Sequence, residues 1–223
     1  VISVNFKDIN IIFEVLPGEL VSINFENVNI FYKLYGSLKG YDSETIGCLD
    51  LETGKPIVLD KKTILLENIL DLDINSRSNL TNLYKKVESE MSTINRLKHQ
   101  EIDSKIIQFL TDVSLELDGK FTFDETIEIS KLLGVYDFRF DKEEGITIFE
   151  SFINYLRFYK NLKNYEIIFA IDFIKYLNDD EISILKEELA LLDCCLVDIS
   201  YMSDNRNKNG VRNFFFDKDK CVF

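Results

Sequence analysis

Apolar and polar positions alternate through VISVNF, through INIIFEV and, beyond a turn at Pro17-Gly18, through LVSINFEN. A period of two puts every second side chain on one face, and the β-branched content suits a pleated, half-buried surface, so three short strands are predicted. In VNIFYKLYGSLKG the period changes. Val28, Phe31, Leu34, Tyr35 and Leu38 recur at helical spacing, and the helix should close near Gly40. KKTILLENIL reads as a further short buried element.

From Ser76 the helical period takes over. Leu80, Leu83, Val87, Met91, Ile94 and Leu97 recur at intervals of three and four, followed in a shifted register by Ile102, Ile106, Phe109 and Val113. This predicts one long helix, or two nearly collinear ones breaking near His99. TFDETIEISKLLG signals another helix, with Thr122 and Glu125 at capping-box spacing and Gly134 as a left-handed stop. These elements make a helical body inserted into the chain.

The third region returns to α/β. ITIFESFINYLRFYKNLKN sets Ile148, Phe149, Phe152, Ile153, Leu156 and Leu162 on one helical face and leaves Arg157, Lys160 and Lys163 as a solvated stripe. YEIIFAID is a continuous apolar run, as expected of a strand buried on both faces. Asn178 and Glu181 form a capping-box pair that opens a helix through Asp193, and CCLVDIS is the next buried strand. Strand, helix, strand is a βαβ unit with a parallel pair. The expected fold is therefore α/β: a head from residues 1–73 and 146–223, interrupted by a helical leg at 74–145.

Composition narrows the class. Over 223 residues, 46% hydrophobic content with two prolines and nine glycines supports a packed core rather than disorder. The opening residues lack the basic start and unbroken apolar run of a signal peptide, and no window approaches the length of a membrane span. Cys48, Cys194, Cys195 and Cys221 form no C-x-x-C, and Cys194 and Cys195 should point to opposite faces of a sheet. Reduced core cysteines in a cytoplasmic protein are expected.

A net charge of −13 argues against nucleic acid, whose binding draws on phosphate neutralisation. The charge is segregated, however. Residues 151–164 hold Arg157, Lys160 and Lys163 with no acid, while acids concentrate in 116–128, 141–150 and 179–188.

Catalytic signatures are missing. IIFAID ends in Asp172, like the strand that holds Mg²⁺ in P-loop ATPases, but G-x-x-x-x-G-K-[ST] occurs nowhere: Gly54-Lys55 is followed by Pro56 and has Leu49 where the first glycine should stand. The single histidine, His99, lies between Lys98 and Gln100 with no second metal-ligand histidine near it. No G-x-S-x-G elbow is present. SLELDGKFTFDETIEI, residues 114–129, gathers Glu116, Asp118, Asp124, Glu125 and Glu128. Hard cations want several such oxygens, yet acids at a helix N-terminus are also favoured by the macrodipole alone, so a Ca²⁺ or Mg²⁺ site and a solvated loop both stand. The spacing is not that of an EF-hand.

The ordered set LLENILDLDINSRSNLTNLYKKVESEM, FTFDETIEISKLLGV, ITIFESFINYLRFYKNLKN and YEIIFAIDFIKYLNDDEISILKEELALLDCCLVDIS resembles the short form of the type II-A CRISPR-associated adaptation proteins of the Csn-two family. The resemblance spans nearly the whole chain. It implies an ATPase-like α/β head without a phosphate-binding loop and a helical leg. It also implies a homotetrameric ring whose lysine-lined hole admits double-stranded DNA from its ends, held by Ca²⁺, acting without catalysis in spacer acquisition beside other CRISPR adaptation proteins and the effector nuclease. Carried onto this chain, the metal ligands would be Glu116, Asp118, Asp124, Glu125 and Glu128. The DNA contacts would be Arg157, Lys160 and Lys163, with Lys33, Lys39, Lys61 and Lys62 from the head, and Asp172 would be structural. The competing classes are a metal-dependent nuclease or degenerate ATPase acting on DNA, and a purely structural adaptor.

Overall fold

The computed structural model describes residues 1–117, 120–141, 146–202 and 208–217. In chain order its elements are β1 (Ile2–Phe6), β2 (Ile11–Val15), β3 (Leu20–Phe25), α1 (Val28–Lys39), β4 (Ile46–Asp50), β5 (Lys55–Pro56), α2 (Leu59–Lys62) and β6 (Thr63–Leu66). There follow α3 (Arg77–Glu90), α4 (Thr93–Glu116), α5 (Ile129–Val135), α6 (Ile148–Leu162), β7 (Ile167–Ile171), α7 (Asp179–Leu191), β8 (Cys195–Tyr201) and β9 (Val211–Phe216). The chain divides into two compact units, Val1–Leu72 with Gly145–Phe223, and Asp73–Glu144.

The first unit is α/β. Its five-stranded sheet has the order β6-β7-β8-β3-β9 and every pairing in it is parallel. Strands in the middle of such a sheet have both faces covered, which is why every residue of β3 is buried and why β7 reads as an unbroken apolar run. On one face, α1 and a four-stranded sheet of order β2-β1-β4-β5 enclose a core containing Phe6, Phe13, Phe31, Phe169 and Phe216. That second sheet is covered on one side only, so β2 alternates, with Ile11, Phe13 and Val15 buried and Ile12 and Glu14 exposed. On the other face α6 and α7 pack through Phe152, Leu156, Leu185 and Leu189 against Ile168, Ala170 and Leu196. Cys195 falls in the first core and Cys194 in the second, as the alternation predicts, and both are free thiols. Cys221 lies outside the described residues.

The βαβ unit forms where the sequence places it. Asn178 accepts the Glu181 N–H and Glu181 accepts the Asn178 N–H, both at 2.9 Å, and β7 and β8 then pair in parallel. A second reciprocal cap, Thr147 with Glu150, opens α6. Strands β4, β5 and β9 are not evident from the pattern. Gly47 interrupts the alternation in β4, β5 is only two residues long, and VRNFFF of β9 sits in a segment whose charges dominate its reading.

Three expectations for the helical unit need correction. The long helix breaks at Met91-Ser92 and not near His99, which lies half-buried inside α4. Ser92 Oγ accepts the Asn95 N–H at 3.3 Å, and Arg96 reaches back to the carbonyls of Met91, Glu88 and Ser89, satisfying acceptors that the end of α3 leaves open. Apolar spacing runs through the break because caps leave little trace in a period. The second correction concerns α5, which starts at Ile129, so the Thr122–Glu125 box does not form; Asp103 Oδ1 instead accepts the Ile127 N–H at 2.9 Å ahead of the helix. The third is that Gly134 belongs to α5, and the left-handed residue beyond it is Asp137, φ 50°. Asx residues tolerate that conformation through local hydrogen bonding. The ends of the unit are joined by Asn75, whose side chain donates to the Phe140 carbonyl at 2.9 Å and accepts its N–H at 3.0 Å.

Ser92→Ala is expected to cost about 1 kcal/mol, the usual worth of an N-cap. Hydrogen exchange of the first-turn amides of α4 should quicken about fivefold, with no change in α6. Unchanged exchange would mean that Arg96 alone fixes the break.

Candidate nucleic-acid and metal-binding residues

The seven cations singled out by the sequence all lie in the α/β unit, and their surroundings divide them. Lys33 pairs with Asp8 at 2.7 Å, Lys39 with Glu67 at 2.9 Å and Lys62 with Glu166 at 2.6 Å. Arg157 grips Glu188 with two nitrogens, Nε at 2.9 Å from Oε2. Lys61 is exposed in α2 and has no ion-pair partner among the described residues.

Lys160 and Lys163 correct the expectation of a solvated stripe, since both are half-buried. Lys160 donates to the carbonyls of Tyr165 and Asp193 and lies over the Tyr165 ring, 5.2 Å from its centroid. Lys163 donates to the Thr63 carbonyl at 2.9 Å and lies 5.8 Å from the Tyr41 centroid. Burial pushes both ammonium pKa values down, chiefly by desolvating the charged form. Long stems let such lysines cross apolar surface to reach main-chain acceptors, and a helical wheel does not reveal that.

The acids lie in the helical unit. Glu116 ends α4, Glu128 precedes α5 and pairs with Lys131 at 3.4 Å, and Asp124 and Glu125 lie in the irregular segment between. All four are exposed, while Asp118, like Gly119, lies outside the described residues. Among the described residues no three His, Cys, Asp or Glu side chains converge to hold a metal ion.

At the carboxyl end of β7 the structure gathers groups that the sequence does not bring together. Asp172 is left-handed, φ 54°, and its N–H donates to the Ile199 carbonyl at 3.1 Å. Next to it Asp198, in the middle of β8, is fully buried. Its carboxylate accepts the Phe173 N–H at 2.7 Å and the Ser200 hydroxyl at 2.8 Å. Desolvation raises its pKa to about 6 despite these two bonds, and Asp172 adds to the rise. The one signal in the sequence is a lone acid inside the apolar run CCLVDIS. The β3–α1 connection consists of Glu26 and Asn27 only, and Asn27 Oδ1 accepts the N–H groups of Asn29 and Ile30 at 3.0 and 3.4 Å.

A model of the CRISPR-associated protein (Cas_Csn2) family matches residues 41–220. The chain belongs to this family. Its function is thus tied to CRISPR adaptation, and the Cas_Csn2 match takes in α3 to α7 as well as β6 to β9. Among solved structures the chain is similar to a protein described as an ABC transporter ATP-binding protein from Pyrococcus furiosus. The two are 12% identical over 95% of this chain and 96% of that one, with a TM-score of 0.37, too distant a likeness to bear on what a Cas_Csn2 protein does. No curated protein matches the chain. No helix among the described residues is long and apolar enough to cross a membrane.

Proposed function

We propose that the chain binds double-stranded DNA at its ends, without sequence preference and without catalysis, as a calcium-stabilised homotetrameric ring. It would act in the cytoplasm beside other CRISPR adaptation proteins and the effector nuclease during spacer acquisition. The observation that carries this reading is the family match across residues 41–220.

With a net charge of −13 the protein as a whole repels a duplex, so phosphate contact must come from cations collected on one surface. Lys33, Lys39, Lys61, Lys62 and Arg157 suit that task. The pairs of Lys33 and Lys39 are exposed and contribute about 0–1 kcal/mol each, so a DNA phosphate can replace their carboxylate partners at small cost, whereas Lys62 and Arg157 are held by the less exposed Glu166 and Glu188. Lys160 and Lys163 are committed to main-chain carbonyls and contribute chiefly to the fold. Contacts confined to phosphates position the duplex and do not read its sequence.

Calcium takes six to eight oxygen ligands. The carboxylates of Glu116, Asp124, Glu125 and Glu128 do not make a closed site by themselves. In this reading Asp118, or carboxylates from a second chain, complete the shell, which links metal binding to assembly. The degenerate-ATPase alternative is disfavoured by the two-residue β3–α1 connection, which cannot hold a phosphate loop, and by Asn27, which occupies the amides a phosphate would use.

The test is a gel-shift series with linear and covalently closed circular duplex, with calcium or chelator, across a salt titration. Linear DNA should shift and closed circles should not; chelation should reduce both the native mass and the shift. Lys61→Ala should weaken binding equally for unrelated sequences and lower the salt slope by about one. Equal binding of closed circles would exclude threading from ends. Cleavage of the labelled duplex in calcium or magnesium would favour the nuclease alternative.

A further inference from the structure

At the carboxyl end of the edge strand β6, a cavity of about 340 Å³ opens between the end of α1 and α6. Buried Leu38 and Leu66 form its floor, Tyr41 and Tyr155 stand in its walls, and exposed Lys39, Glu67 and Asn68 lie at its mouth. It is small among ligand sites, with room for one planar ring system and an attached sugar.

Both tyrosine rings are fixed in advance. Tyr155 stacks on Tyr159, with 5.5 Å between centroids and an angle of 16°. Tyr41 is left-handed, φ 51°, although Gly40 directly before it takes an ordinary right-handed conformation, φ −85°. A bulky residue in that region strains the backbone, so the turn keeps this ring at a cost that glycine would avoid. The Tyr41 N–H donates to the Leu38 carbonyl at 3.2 Å, and the Lys163 ammonium lies 5.8 Å from the ring centroid. Rings held this way offer stacking surface with little rotamer freedom left to lose on binding.

The polar groups at the mouth differ in what they can still do. Glu67 is engaged by the Tyr35 hydroxyl at 2.7 Å and by Lys39 at 2.9 Å. Asn68 Oδ1 accepts the Leu70 N–H at 3.0 Å, which leaves Nδ2 as a donor. Every base has a π-face and an acceptor on its edge, so one amide donor beside aromatic walls suits all four. The approach is cationic. α1 contains no acid, and Lys33 and Lys39 stand on its exposed side with Gly36 between them, where an added Cβ would meet nothing within 4 Å. A phosphate backbone can run close along α1 toward the cavity.

We infer that this cavity takes an unpaired base at a DNA end, stacked on Tyr41 and Tyr155 with Asn68 Nδ2 donating to its edge. The inference rests on the DNA-end reading and adds to it a preference for ends that carry a single-stranded overhang. A base inside a duplex must first leave its stack, whereas one in an overhang is already free.

The test uses 2-aminopurine, whose fluorescence falls when it stacks on an aromatic ring, and the absence of tryptophan keeps the signal clean. The whole chain is titrated into four probes: a duplex with 2-aminopurine in a short overhang, a blunt duplex with it paired in the interior, a short single strand with it at one end, and the free 2-aminopurine nucleotide. The overhang and the single strand should be quenched and the paired interior base should not. Tyr155→Leu and Tyr41→Asn, the latter keeping a residue that tolerates the left-handed backbone, should each weaken the single strand about tenfold, with the fold checked by circular dichroism. Tyr176→Ala, which removes a ring 67% exposed outside the cavity, should change nothing. Blunt duplex bound with the overhang unquenched would overturn the base site and leave the proposed function standing. Quenching of the single strand without any duplex binding would keep the base site and remove the duplex reading. Tighter binding of the free nucleotide than of the single strand, full quenching in both tyrosine variants, or no quenching of any probe would overturn the assignment to a DNA end.

Discussion

Phe152→Ala should remove about 3–5 kcal/mol of stability, the usual cost of truncating a buried phenylalanine. Phe152 is fully buried on α6, and its ring lies 4.5 Å from that of Phe173 at 53°, between helix and parallel sheet. Alanine there loses both the transfer free energy of the ring and its contact with Phe173, and β7 and α7 are too tightly packed to close the void. Total stabilities near 5–15 kcal/mol make this a large fraction. A chain of this size should melt roughly 10 °C lower. Far-UV circular dichroism is the suitable probe, because there is no tryptophan to report by fluorescence. Ile148→Ala, one turn earlier on the same helix and 57% exposed, should change stability by less than about 0.5 kcal/mol. Equal effects at the two positions would mean that α6 does not pack as described.

The elements legible in the sequence are those whose neighbours impose one strong period. Full burial makes β7 a continuous apolar run, and single-sided burial makes β2 alternate and α1 and α6 amphipathic. Reciprocal side-chain bonds make the Asn178–Glu181 cap readable, because both partners lie within one turn. Elements set by long-range pairing leave no such trace. β9 exists because β3 has a free edge, and its pairing from Leu20↔Val211 to Phe25↔Phe216 spans most of the chain. The α3–α4 break depends on Arg96 reaching carbonyls seven and eight residues back, a contact without a periodic signature.

The candidate site divides along the same line. Charge segregation picks out Arg157, Lys160 and Lys163 together, yet the fold gives Arg157 a carboxylate partner and the two lysines main-chain acceptors. That distinction rests on Glu188, Tyr165 and Thr63, residues from three separate elements or their edges. Asp172 is recognisable as the end of a strand, but its place beside buried Asp198 appears only when β7 and β8 are assembled.

Asp198→Asn should remove a pH dependence that the wild-type chain carries in its core. The folded carboxyl titrates at about 6 against an ordinary 3.8, first because burial disfavours its charge and also because Asp172 is close. The Phe173 N–H and the Ser200 hydroxyl offset part of that cost. Because the folded value is the higher one, the folded chain holds a proton that the unfolded chain has released between about pH 4 and 6. The stabilising contribution is therefore complete below the unfolded value and is lost as pH rises through 6. A shift of this size corresponds to about 3 kcal/mol. Asparagine has no proton to lose, its oxygen can keep the Phe173 N–H, and the Ser200 hydroxyl can turn to accept from its amide. Relative to wild type, the variant should thus gain about 3 kcal/mol between pH 4 and pH 7 in urea denaturation, with no further gain above pH 7. Taking the difference between the two proteins cancels the titration of the many surface acids they share. A difference that stayed level from pH 4.5 to 7.5 would show Asp198 ionising in the ordinary carboxylate range, its burial fully compensated by Phe173 and Ser200.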